Sequence, residues 1–131
     1  MAEKPKSDAR QGRIEVEFLE ALRRRCPEHE PLLEALGHLY TRHGRFEDGL
    51  EVDLKLTRIK PTEPENWYNL ACSFALTRQG ERALDALRKA VALGYEDAEW
   101  MQRDEDLVSL RDRAEFNALL EQVRKRDASR S

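Results

Sequence analysis

The feature that most limits what this chain can fold into is a self-match at an offset of 34 residues. Leu33 falls on Trp67, Leu36 on Leu70, Gly37 on Ala71 and Tyr40 on Phe74. Further along, Gly49 falls on Ala83, Leu50 on Leu84, Leu56 on Ala90 and Ile59 on Leu93, while Pro27 falls on Pro61. Size and polarity agree together, and such a period marks units that bury their apolar faces only by stacking on one another. Within a unit the spacing is helical. Leu33, Leu36, Leu39 and Tyr40 share one stripe, and so do Trp67, Leu70, Ala71 and Phe74. Gly44 after Arg42 and His43 reads as a helix end with a left-handed cap. Phe46 to Ile59 reads as a second helix stopped by Lys60-Pro61. The second unit is expected as one helix from about Glu65 to Thr77 and another from about Glu81 to Leu93.

These residues resemble the tetratricopeptide repeat (TPR), whose pattern runs W-x2-L-G-x2-Y, then A-x3-F, then P. The second unit matches at Trp67, Leu70, Ala71, Phe74, Ala83 and Leu87; the first offers Leu33, Leu36, Gly37, Tyr40 and Pro61. The first unit departs at Gly49 and Asp53, where Ala and an apolar residue are usual, which predicts looser packing of its second helix. In the second unit Gly80 comes two residues later than Gly44 predicts. Residues 13 to 26 share the phase of a second helix, with Val16 on Leu50 and Leu22 on Leu56, so the array opens with half a repeat. Residues 1 to 12 are polar and aperiodic and are expected to be disordered.

Beyond residue 94 the period breaks. Residues 95 to 126 carry D-x-D-L-x-x-L-R before F-x-x-L-L, which resembles the end-of-group segment of bacterial TPR arrays. Asp104, Asp106, Leu107, Leu110, Arg111, Phe116, Leu119 and Leu120 match it. A last repeat has no successor, so Trp100, Leu107, Leu110, Phe116 and Leu120 are expected to cover its apolar face. Residues 127 to 131 are expected to fray. The resemblance implies an all-α, short right-handed TPR-like stack with about two full repeats (residues 13–94, leading half-repeat included) and a helical C-terminal cap.

Composition narrows the function classes. The 131 residues form one ordinary domain; 26 acids against 23 bases leave a net charge of −3, which exerts no bulk pull on nucleic acid or an anionic membrane. Apolar runs are too short to span a bilayer. The N-terminus lacks the apolar stretch of a secretory signal, and two cysteines make no disulfide scaffold, so a reduced cytoplasmic setting is expected.

Signs of chemistry are few. The sequence holds no glycine-rich phosphate loop, no G-x-S-x-G elbow and no H-E-x-x-H. His29, His38 and His43 invite a metal reading, but His38 and His43 are five residues apart, whereas a helical pair facing one ion needs three or four, and no cysteine pair stands at ligand spacing. No metal or cofactor is expected. Arg23-Arg24-Arg25 and Arg124-Lys125-Arg126 sit in the last turns of predicted helices, where cations oppose the helix dipole. Cys72 lies among small residues as a packed thiol would. A cysteine-dependent enzyme pairing Cys72 with His38 is the remote alternative to a non-catalytic chain.

The TPR resemblance implies a concave groove lined by the first helix of each unit. The residues off the packing stripes are Glu34, His38, Thr41 and Arg42 in the first unit and Glu65, Tyr68, Asn69 and Cys72 in the second. They mix an aromatic ring, an amide, a histidine and both charges, a set suited to hydrogen-bonded capture of a peptide or helix. Asn69 matches an asparagine of TPR carboxylate clamps. Glu34 and His38 stand where the clamp's other polar positions are expected, which disfavours a C-terminal carboxylate ligand. A second expectation follows from the missing first helix. Ile14, Phe18 and Leu22 would keep an uncovered flank, through which the chain would form a homodimer.

Overall fold

A computed structural model describes residues 6–130, with side chains described for residues 10–129. Seven α-helices follow one another among them: α1 (Lys6–Arg25), α2 (Glu30–Arg42), α3 (Phe46–Ile59), α4 (Pro64–Leu76), α5 (Gly80–Ala92), α6 (Ala98–Arg103) and α7 (Ala114–Arg130). A 3-10 helix, Glu105–Leu110, lies between α6 and α7. Chain neighbours pack on one another from α1 through α5, and α4 and α5 carry the closing elements: the 3-10 helix packs on α4, and α7 on α5 and α6.

Each hairpin closes through small residues. Gly37 on α2 faces α3 so closely that an added Cβ would lie 3.3 Å from Asp53 Oδ1 and 3.6 Å from Val52 Cγ1. One repeat on, Ala71, Ala83 and Ala90 are fully buried. Two apolar cores result. The first joins Val16, Leu33, Leu36, Tyr40, Val52 and Leu56. The second joins α4 and α5 to Met101, Leu107, Leu110, Phe116 and Val123 of the closing elements. Gly49 and Asp53 do not loosen α3 as expected: both are buried, and Asp53 accepts a hydrogen bond from Ser73 Oγ on α4 at 2.5 Å.

The turns between hairpin helices repeat bond for bond. Arg45 N donates to Tyr40 O and Gln79 N to Phe74 O, both at 2.8 Å, and Tyr95 N donates to Ala90 O at 3.0 Å. Each turn needs one residue in the left-handed region. Gly44 (φ 75°) and Gly94 (φ 109°) supply it after α2 and α5, while Arg78 (φ 63°) supplies it after α4. Gly80, read from sequence as the displaced turn glycine, is instead the first residue of α5. The ends of α3, α4 and α5 lie within one residue of those expected.

The chain ends differ from expectation. Residues 6–12 are helical where disorder was expected; residues 1–5 lie outside the described residues. Lys, Ala, Arg and Gln in this stretch are good helix formers, and Gly12 sits where a Cβ would collide with the His43 ring at the α2–α3 turn. At the other end α7 continues through residues 127–130, which were expected to fray, because Val123 is buried and Arg126 Nη1 donates to Val91 O on α5. Residue 131 lies outside the described residues. Trp100, assigned from sequence to the covering core, is 46% exposed, whereas Leu107, Leu110, Phe116 and Leu120 are buried.

A non-glycine residue at positive φ costs about 1 kcal/mol. Arg78 is exposed, so Arg78→Gly is expected to raise the urea midpoint by the equivalent of roughly 0.5–1 kcal/mol, offset in part by chain entropy. An unchanged or lowered midpoint would show that the turn holds no such strain.

Candidate functional site

The polar faces of α2 and α4 meet over α3 and the closing segment to form a concave cavity of about 710 Å³. On α2 the lining follows helical spacing through Glu34, His38, Thr41 and Arg42; on α4 it runs through Glu65, Tyr68, Asn69 and Cys72. Residues seven or eight apart on a helix share a face. All eight residues named from the off-stripe positions therefore line this one cavity. Sequence reasoning left out further contributors, among them Asn66 and Ser73 from α4, Asp53 from α3, and Trp100, Asp104 and Asp106 from the closing segment. The D-x-D-L motif was the one signal that could have found the last two.

The eight are not alike. Glu34, His38, Arg42 and Glu65 are exposed, and Thr41 and Asn69 are half-buried. Tyr68 and Cys72, expected as open groove positions, are 2% and 7% exposed and form the cavity floor. The Tyr68 hydroxyl donates to Asp104 Oδ2 at 2.7 Å, the Cys72 thiol approaches the same oxygen at 3.7 Å, and the Tyr68 ring stacks on Tyr95 at 4.3 Å between centroids. Asp104 also caps the 3-10 helix by accepting from Asp106 N at 3.0 Å, and its carbonyl accepts from Arg111 Nη2 at 3.0 Å. Asp104 thus ties the closing segment to α4, while Asp106 and Arg111 bond to Asp104 within that segment.

Burial, with Asp104 and Asp106 nearby, pushes the Cys72 thiol well above its ordinary range. A reactive thiol carries the opposite shift, and Cys72 is buried beside a carboxylate. The histidines go to three places: His29 caps α2 by accepting from Leu32 N at 3.3 Å, His38 lines the cavity, and His43 ends α2. Among the described residues, Cys72, Asp104 and Asp106 bring three ligand-type atoms within 4.8 Å of one another. Within that cluster Asp104 already accepts from the Tyr68 hydroxyl and from Asp106 N.

Polar groups buried in the fold gather here. Asp53, Asn66, Ser73 and Asp104 are buried and line the cavity. Asn66 Nδ2 lies 3.4 Å from the carbonyl oxygens of Leu56 and Lys60, closing the end of α3. Burial pushes the Asp53 carboxyl up to about 6, against the opposing effects of the Ser73 hydrogen bond and the His38 charge. Burial also raises Glu65 and Asp106; Glu63 and Asp97 add to the first shift, and Asp104 and Glu105 to the second.

No family model matches the chain. Over 89 residues, 66% of the chain, it is 35% identical to a chloroplastic protein of Arabidopsis thaliana, of whose length it spans 27%. A solved structure of the MamA RS-1 ArsTM double mutant superposes with a TM-score of 0.73, covering 95% of this chain and 71% of that one at 17% identity. That likeness shows the fold: the chain is an all-helical stack of the TPR-like class.

Between pH 3.8 and about 6 folded Asp53 holds a proton that the unfolded chain has released. Its contribution to stability therefore falls as pH rises through that window and stays constant above it. The stability gap between Asp53→Asn and the parent is expected to widen by on the order of 2 kcal/mol from pH 4 to pH 8 in urea titrations. A gap that is the same at both pH values would contradict this.

Proposed function

We propose that the chain is a non-catalytic protein-interaction module, a scaffold or adaptor that holds a peptide or helix of a partner protein in the cavity between α2 and α4. The observation that carries this reading is the convergence of all eight off-stripe residues on one concave surface, with exposed polar groups at its rim and a hydrogen-bonded floor. Specific pockets fix orientation with a few placed polar groups, and Asn69, His38 and Thr41 are available for that here. We assign α6, the 3-10 helix and α7 as an end-of-group cap of bacterial type. Two free cysteines, Cys26 and Cys72, fit the proposed cytoplasmic setting. The word chloroplastic belongs to the plant relative. Among the described residues no helix is long and apolar enough to cross a membrane, and no nucleic acid is proposed as a partner.

A second reading rests on α1. Ile14, Phe18 and Leu22 are 49%, 62% and 38% exposed, although their neighbours Val16 and Leu19 pack into the first core. One period later, the equivalents of Phe18 and Leu22 are Val52 and Leu56, both buried, with Val52 against α2. The α1 face is thus one that a preceding helix would cover, and a second copy of the chain offers an equivalent face for a homodimer. Full burial of each large side chain is worth about 1.5–3 kcal/mol.

One affinity-capture experiment from a lysate of the source organism separates the readings, using the parent chain, a Glu34→Ala, His38→Ala, Asn69→Ala variant, and Phe18→Glu. Captured proteins lost only with the triple variant support the cavity. Recovery of untagged copies of the chain, lost only with Phe18→Glu, supports the dimer. An identical set with all three baits would overturn both.

A further inference from the structure

The cavity lining is unbalanced in charge. Six carboxylates contribute to it: Glu34, Asp53, Glu63, Glu65, Asp104 and Asp106. Arg42 and Lys60 are the two lining cations, and Lys60 is already paired with Glu30 at 3.4 Å. Among the described residues the ion pairs use other carboxylates throughout; Asp53 and Asp104 are buried and bonded to Ser73 and Tyr68, which leaves Glu34, Glu63, Glu65 and Asp106 as the unpaired acids of the wall. The chain as a whole is close to neutral, at −3 over 131 residues, so this imbalance is local to the concave face.

A separate feature of the same surface also favours cations. Trp100 stands at the cavity edge, 46% exposed, and the Arg103 guanidinium already lies 5.6 Å from its ring centroid. Indole rings attract cations through the negative potential of their faces, and this ring does so within the chain itself. A concave wall of unpaired carboxylates beside an exposed indole matches a chain bearing lysine or arginine side chains, whose aliphatic stems lie on apolar surface while their heads reach the acids. Asn69 adds an amide that can pair with an extended backbone.

Resting on the cavity reading above, we propose that the partner segment is basic: an extended stretch of another protein carrying lysine or arginine side chains that sit against Glu34, Glu65 and Trp100. An acidic segment would meet like charges along the whole wall. Contacts to the exposed members are screened by salt, so binding weakens as ionic strength rises.

The test titrates the ¹⁵N-labelled full chain with three octapeptides of alternating Lys–Ala, Glu–Ala and Ser–Ala sequence. The expected result is that the Lys–Ala peptide shifts the amides of Glu34, His38 and Asn69 while leaving Asp85 on α5 unmoved. Glu34→Gln with Glu65→Gln should weaken that binding about fivefold, and the Glu–Ala and Ser–Ala peptides should give no cavity shifts. If either of those two shifts the cavity amides as strongly as Lys–Ala, the charge inference is overturned and the cavity reading stands. If no peptide shifts them, or Lys–Ala shifts the whole chain alike, both fall.

Discussion

No hairpin in this chain can bury its own apolar face, and that constraint orders the rest of the structure. Each face is covered by the next unit along, so the interior of the stack is settled and the two ends carry the uncovered surface. At the C-terminal end Tyr68, Tyr95 and Asp104 settle it: a stacked ring pair and one carboxylate pin an irregular segment onto α4, and Leu107, Leu110 and Phe116 then close the core. At the α1 end Ile14, Phe18 and Leu22 remain exposed. The closing segment thus covers the last repeat, while the α1 side chains stay exposed among the described residues.

The cavity grows out of the same geometry. First helices that present their packing stripe to α3 and α5 must turn the opposite side chains toward a shared concavity, and the residues seven and eight apart on α2 and α4 arrive there together. The first and second cores are joined across a seam in which Asp53 meets Ser73 and Asn66 lies against the end of α3. A buried carboxylate costs stability, and this fold tolerates two, Asp53 and Asp104, beneath its concave face. That placement is what a surface built for recognition would show, and it fits the proposal that the cavity holds a partner.

Much of this was legible in the sequence because repeats report their own registration. A match at both Leu36 and Leu70, and at both Tyr40 and Phe74, locates helices within about one residue, since burial demands the same size at the same depth. The turn after α4 was hidden because Arg78 occupies the left-handed position that glycine fills after α2, and residue type alone does not reveal the backbone angle. Trp100 was misplaced for a different reason. Outside the period no second copy shows which face of α6 is covered, and a large aromatic was assigned inward by default. Tyr68 and Cys72 line the cavity from α4, but they are buried against Asp104, 36 and 32 residues away in the chain. No local pattern carries that contact.

If the chain works as proposed, its concave face meets a partner and the outer face of the stack does not. The most direct measurement places a photo-crosslinking amino acid at position 69 in one variant and at position 85, on the exposed side of α5, in another, and irradiates both in lysate of the source organism. The expected result is a discrete adduct with another protein from position 69 that is missing from position 85. Equal adducts from both positions, or none from position 69, would contradict the account.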